Sequence, residues 1–268
     1  MAGKSDKPEV LPPNDLSEIK RVIAIGSGKG GVGKSSVTGL LAVTLARQGK
    51  KVGVLDADLT GPSIPKIFGV RERPTGVGES ILPVNSRRLD IKLMSMNFLL
   101  ENEDDPIIWR GPIISGAIRQ FWTDVAWGRL DYLLVDLPPG TGDAPLTVMQ
   151  SLPVNGLIMV TSPQELSLLV VKKMIKMAGI MSLPILGLIE NMSYVTCPKC
   201  GENLEIFGPS RIESVSAETG LPVLARLPID PQLAVLEDTG EVEKYEAPAL
   251  EGVPAALEQR MNLAGHQA

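Results

Sequence analysis

Three observations predict an α/β fold with a doubly wound, mostly parallel sheet. Short apolar runs recur along the chain and are near-continuous rather than alternating, as strands covered on both faces require. Helix-like segments alternate with these runs, the order expected of successive β-α units. A glycine-dense turn joins the first run to the first helix, where doubly wound folds place their ligands at the carboxyl ends of strands.

The elements follow in order. Arg21–Gly26 (RVIAIG) reads as the first strand and Lys34–Gln48 as the first helix. Lys51–Asp56 (KVGVLD) is the second strand and Ile91–Met96 (IKLMSM) a third. A helix around Ile113–Trp127 precedes the strand Asp131–Asp136 (DYLLVD). Strands at Gly156–Thr161 and Ile185–Glu190 flank a helix over Gln164–Ala178. Residues 1–20, rich in Pro and charge, read as a flexible leader, 21–245 as one domain, and 246–268 as a partly helical tail. Met94, Met96, Met174, Met177 and Met181 have strand or helix spacing and are expected in the core. Trp109, Trp122 and Trp127 are expected to be buried or to form a dimer contact.

Composition limits what the protein does. The chain has 268 residues, 44% of them hydrophobic, enough for one core in a single domain. Lys and Arg number 26 against 31 Asp and Glu, which lacks the basic excess of a non-specific nucleic-acid binder. The single histidine, His266, is far from every motif, so a Ser-His-Asp or Cys-His centre is not expected. The first twenty residues contain no apolar signal core. Leu166–Ile189 is interrupted by Lys172, Lys173, Lys176 and Pro184, which prevents it from spanning a bilayer as one helix. A cytoplasmic protein with no nucleic-acid and no membrane partner is expected.

The turn GSGKGGVGKSS (Gly26–Ser36) carries the first chemistry. Gly28, Gly33, Lys34 and Ser35 match G-x-x-x-x-G-K-[ST], the P-loop; the competing G-x-G-x-x-G pattern arises cheaply in a loop with this many glycines. Glycines let successive N–H groups approach phosphate oxygens. Lys34 can neutralise the terminal phosphates of ATP and the Ser35 hydroxyl can ligate Mg²⁺. The nucleotide-binding run is thus Gly28, Lys29, Gly30, Gly31, Val32, Gly33, Lys34, Ser35 and Ser36. Asp136, closing an apolar strand, has the Walker B pattern for Mg²⁺. Asp56 and Asp58 close the second strand (LDAD), and PPGTGD (Pro138–Asp143) is a candidate switch loop.

Lys29 departs from a generic P-loop. A lysine directly after the first glycine resembles the deviant Walker A class of MinD, ParA and nitrogenase iron proteins. That resemblance implies a Lys29 that reaches phosphates across a homodimer interface, as an arginine finger does. It also places Asp58 where the attacking water is oriented and Asp56 in support of the metal shell.

Cys197 and Cys200, in CPKCG, are the only cysteines. A Cys-x-x-Cys pair supplies two of the four ligands of a tetrahedral metal. It can be a redox dithiol, an incidental turn, or half of a four-thiolate site shared by two subunits, and such a site suits Zn²⁺ as well as iron–sulfur.

Longer segments resemble the Mrp/ApbC family of iron–sulfur cluster carrier ATPases from about Val22 to Asp230. They are GSGKGGVGKSS (26–36), LDADLTGPSIPKIFG (55–69), LMSMNFLL (93–100), WRGP and PPGTGDAPLT within 107–147, ENMSYVTCPKCGENLEIFG (190–208) and LPID (227–230). The resemblance implies a bridging [4Fe–4S] cluster on Cys197 and Cys200 of two subunits, with apo iron–sulfur proteins as recipients. Asn191 matches the family's adenine-contacting asparagine. The chain departs from the family pattern at Ser36, usually Thr, and after Pro231, where the match is loose; no four-cysteine N-terminal motif precedes the P-loop. Two other readings of the residues are a MinD/ParA-like positioning ATPase and a P-loop ATPase with a structural zinc bridge.

Overall fold

The computed structural model describes residues 12–58, 61, 63–99, 111–164 and 168–265. In chain order the elements are β1 (Ser17–Ile19), β2 (Val22–Ser27), α1 (Lys34–Arg47), β3 (Val52–Asp56), α2 (Ile64–Ile67), β4 (Thr75–Val77), β5 (Ser80–Leu82), β6 (Val84–Asn85) and β7 (Lys92–Ser95). Next come α3 (Gly111–Thr123), β8 (Gly128–Leu130), β9 (Tyr132–Asp136), α4 (Asp143–Ser151), β10 (Gly156–Thr161), α5 (Leu168–Ile180) and β11 (Ile185–Thr196). The chain continues through β12 (Asn203–Leu204), α6 (Ile212–Thr219), β13 (Val223–Pro228), α7 (Pro231–Asp238) and α8 (Val253–Gly265).

The main sheet runs β12-β11-β10-β2-β9-β3-β7-β6, with β13 also paired to β11. All pairings from β13 through β11, β10, β2, β9 and β3 to β7 are parallel; only β6 and β12 join antiparallel. The sheet is therefore doubly wound and mostly parallel.

Alternate residues of each strand serve two cores. Val22 and Ala24 of β2, Leu133 and Val135 of β9, and Leu157 and Met159 of β10 face a layer of α3, α4, α5 and α6. Ile23 and Ile25, Tyr132 and Leu134, and Ile158 and Val160 face a layer of α1, α2 and α8. Both faces are dry, which is why these strands lack the apolar–polar alternation of a half-exposed sheet. Met94, Met96, Met174 and Met177 are buried as their spacing predicts, and Met181 packs half-buried against the same core. Trp122 and Trp127 are buried too, the Trp127 indole N–H donating to the Phe121 carbonyl at 2.9 Å; Trp109 lies outside the described residues.

Described parts of the expected leader and tail join the rest of the fold. Within the leader expected over 1–20, β1 pairs in parallel with β8, and Asn14 donates to Ser80 Oγ and to the Thr123 carbonyl, each at 3.1 Å. In the tail, Val253, Leu257 and Met261 of α8 repeat at four-residue spacing and bury one stripe in the second core. Elements without a clear periodic signal, among them α4, β13 and α7, also emerge. No helix among the described residues is long and apolar enough to cross a membrane.

Candidate functional site

The glycine loop leaves β2 at Ser27 and enters α1 at Lys34. Gly33 caps α1 with φ of 75°, a left-handed conformation that favours glycine. A side chain there would also collide, since a Cβ on Gly33 would lie 2.2 Å from Asn191 Nδ2. Gly28 is required for a different reason: its Cβ would lie 2.0 Å from Val170 Cγ1 on α5. The Ser27 hydroxyl donates to the Lys29 carbonyl at 2.9 Å, and Gly140 N–H donates to the Ser27 carbonyl at 2.9 Å, fastening the Pro138–Asp143 loop to the P-loop.

Parallel register brings the acidic strand ends together. Asp56 of β3 and Asp136 of β9 are register partners, and β9 pairs with β2 on its other side. Lys34 Nζ lies 2.8 Å from Asp136 Oδ1 and 3.4 Å from Asp58 Oδ2. The Ser35 hydroxyl donates to Asp136 Oδ2 at 2.5 Å. Thr38 donates to Asp136 Oδ1 at 2.9 Å and to the Lys34 carbonyl at 3.0 Å. Lys34, Asp58 and Asp136 are all buried, so these charges are weakly screened and hold one another in place.

Asp56 stands one layer behind. It is fully buried, and its Oδ1 accepts from Asp58 N–H at 3.1 Å while its Oδ2 accepts from Ile64 N–H at 3.1 Å and from the Ser95 hydroxyl at 3.3 Å. Its carboxyl thus fixes the segment carrying Asp58 and the start of α2. Burial, and secondly the Asp136 charge, raise its pKa well above the ordinary carboxylate range.

A cavity of about 360 Å³ opens over the loop, lined by Gly30, Gly31, Gly33, Lys34, Ser35, Ser36, Asp58 and Pro139. Ser27, Gly61, Ser63, Lys66 and Ile67, with Glu237 and Asp238 of α7, complete the wall. Within the loop Lys29 is exposed and Val32 is buried. Asn191 is buried, donating its amide to the Val32 carbonyl at 3.0 Å, and braces the loop from β11.

The paired thiols occupy a turn beyond β11. Gly201 N–H donates to the Cys197 carbonyl at 2.9 Å, and Cys197 N–H donates to the Glu202 carbonyl at 2.8 Å. Cys197 is half-buried and Cys200 exposed, both as free thiols. Backbone N–H groups of Cys200 and then Lys199 hold the Cys197 thiol below its usual range, favouring the thiolate that metals bind. The chain's two cysteines supply two thiolates, and among the described residues no group of three or more His, Cys, Asp or Glu converges as a metal site. Behind the turn, Glu190 accepts from Ser210 at 2.7 Å and pairs with Arg226 at 3.3 Å; Arg226 also reaches Glu205 at 3.2 Å. This network links the strand bearing Asn191 to the hairpin bearing the cysteines.

Thr38 and Glu237 belong to the site but escape the sequence reading. Thr38 has a signal, its i+4 spacing from Lys34 on the same helix face. Glu237 has none, being remote in the chain.

A parallel sheet with this loop at the end of β2, and with Lys34, Ser35 and Asp136 in mutual contact, defines a P-loop NTPase. The fold is that of MinD from Aquifex aeolicus, 22% identical with a TM-score of 0.58, covering 91% of this chain and 97% of that one. Residues 18–260 match the ParA family model described as NUBPL iron-transfer P-loop NTPase, and the chain belongs to that family. A relative named iron-sulfur cluster carrier protein, from Clostridium perfringens, is 46% identical over 251 residues, 91% of this chain and 87% of its own length. A nucleotide-binding protein from Archaeoglobus fulgidus, solved in complex with ADP, is 49% identical with a TM-score of 0.81, covering 88% of this chain and 93% of that chain.

Proposed function

We propose that this chain is an ATP-hydrolysing iron–sulfur cluster carrier. Two copies hold a [4Fe–4S] cluster between their Cys197 and Cys200 thiolates and pass it to apoproteins in the cytoplasm. The observation that carries this reading is the coexistence, on one sheet, of a P-loop cavity and a dithiol turn that exposes Cys200. The relatives support it: one is named as a carrier and another was solved with ADP.

In this reading the loop N–H groups from Gly28 to Ser35 cradle the phosphates, and Ser36 extends the contact toward the sugar. Lys34 moves from Asp136 to the terminal phosphates. Ser35 and Asp136, so released, are the residues that would hold Mg²⁺, with Asp56 supporting them from behind; the ion would supply charge neutralisation. Asp58 orients a water that attacks the γ-phosphorus as the bond to the ADP oxygen breaks, giving ADP and phosphate. Lys29 stabilises the developing charge from the opposite subunit. Asn191 contributes at the adenine side while bracing the loop. The two thiols fit half of a four-thiolate cargo site, and the Glu190–Arg226 network is the route by which nucleotide state reaches it.

The test is anaerobic reconstitution with iron and sulfide, read by absorption, metal analysis and sedimentation. Wild type should take up four irons per dimer, and Cys197→Ala should take up none while binding ATP normally. Uptake of zinc without iron or sulfide would defeat the carrier reading in favour of a structural bridge.

A further inference from the structure

Glu237 is a part of the P-loop cavity that the phosphate chemistry leaves unexplained. It projects from α7 into the wall that contains Lys34 and Ser35. Its Oε1 is shielded from solvent and accepts no hydrogen bond, the one such side-chain atom among the described residues. The Ser36 hydroxyl bonds to the carboxyl, while burial, the larger effect, pushes its pKa up. Its neighbour Asp238 is already committed to Lys66 at 3.0 Å.

The helix that carries it is firmly placed. Asp230 caps α7 by accepting from Gln232 N–H at 2.8 Å, and the Tyr245 hydroxyl donates to the other Asp230 oxygen at 2.8 Å. At the far end Gly240 packs so closely on Gly69 that a Cβ on it would lie 2.3 Å from Gly69 Cα. A buried acceptor held in one place by such a scaffold calls for a donor from whatever fills the cavity. Phosphate groups are acceptors and cannot satisfy it. The nearest donors to the phosphates of a nucleotide are its sugar hydroxyls, and Glu237 sits beside Ser36, one residue beyond the phosphate-binding Ser35.

We propose that Glu237 accepts a hydrogen bond from a sugar hydroxyl of the bound nucleotide, so that the site selects ribonucleotides over deoxyribonucleotides. This rests on the nucleotide-binding reading above. A site built around a hydroxyl rejects the analogue that lacks it, because the buried acceptor is then left unmade.

The experiment is calorimetric titration of the nucleotide-free full chain with ADP, 2′-deoxy-ADP and 3′-deoxy-ADP, with IDP as the probe of the exocyclic amine. Wild type should bind ADP about tenfold or more tighter than at least one deoxy analogue, the size of one hydrogen bond to a charged group. E237A should bring that ratio close to one, whatever it does to affinity as a whole, and E237Q, which keeps a carbonyl acceptor, should preserve part of it. Circular dichroism checks that the variants fold. Equal binding of all three adenine nucleotides by wild type, or an unchanged ratio in E237A, overturns the proposal and leaves the nucleotide-binding reading standing. Discrimination confined to IDP overturns it as well, assigning Glu237 to the base. Failure of wild type to bind any nucleotide removes both.

Discussion

Lys34→Met should destabilise the nucleotide-free protein before it affects any reaction. The Lys34 side chain is 5% exposed and faces Asp136, 0% exposed, at 2.8 Å and Asp58, 11% exposed, at 3.4 Å. Removing the cation leaves two carboxylates close together and poorly solvated. Breaking a buried pair from one side costs about 3–5 kcal/mol. At about 2–4 °C per kcal/mol for a chain near this size, the melting temperature should fall by about 6–20 °C. Adding Asp136→Asn removes the more deeply buried orphan charge, and the amide oxygen can still accept from Ser35 or Thr38, which donate to that carboxylate at 2.5 and 2.9 Å. The double variant should therefore recover at least half of the loss. The assay is thermal and urea unfolding followed by circular dichroism in EDTA, for wild type, both single variants and the double variant, giving the coupling directly. A Lys34→Met protein melting within about 2 °C of wild type, far inside the range expected for a broken buried pair, would refute the reasoning. So would a double variant no more stable than Lys34→Met.

Gly28→Ala should lower stability by about 1–3 kcal/mol through overpacking and weaken nucleotide binding. The new methyl would overlap Val170 Cγ1, so Val170→Ala should restore both in calorimetry and thermal melting. Burial and the neighbouring Glu258 carboxylate push the Tyr132 pKa up to about 12. Its contribution to stability is complete below pH ~10, where unfolded tyrosine remains protonated, and is lost as pH rises through the folded value. Absorbance at high pH should show this residue ionising late, and Tyr132→Phe should flatten the alkaline loss of stability. Asn14→Ala removes side-chain bonds to Ser80 and Thr123 and should cost about 1 kcal/mol for each bond lost, with faster tryptic cleavage near Lys20 and Arg21 in timed digests.

The P-loop was legible because its chemistry is contiguous: glycines, lysine and serine must follow one another for the backbone to curl around phosphates. Asp136 was legible because the end of an apolar run marks the carboxyl end of a strand. Thr38 was within reach, one turn of helix beyond Lys34. Glu237 was not, because α7 carries no buried residue of its own and meets the P-loop only through the packing of distant segments. Asn191 and Asp56 show a related limit: that they also hold the Val32 carbonyl and the Asp58 and Ile64 amides is decided by packing and has no local signal.

The sequence alone determined the class of fold, the phosphate-binding loop and the presence of a dithiol, since each is encoded by residues adjacent in the chain or by a local period. The tertiary structure decided which acidic groups meet Lys34, because that depends on β3 and β9 lying in register beside β2. It also decided that Ser17–Ile19 and Val253–Gly265 join the body of the protein, through β1 on β8 and the α8 stripe in the second core. Local pattern fixes what the strongly periodic segments become; only the packing of remote segments fixes which polar groups are left waiting for a partner.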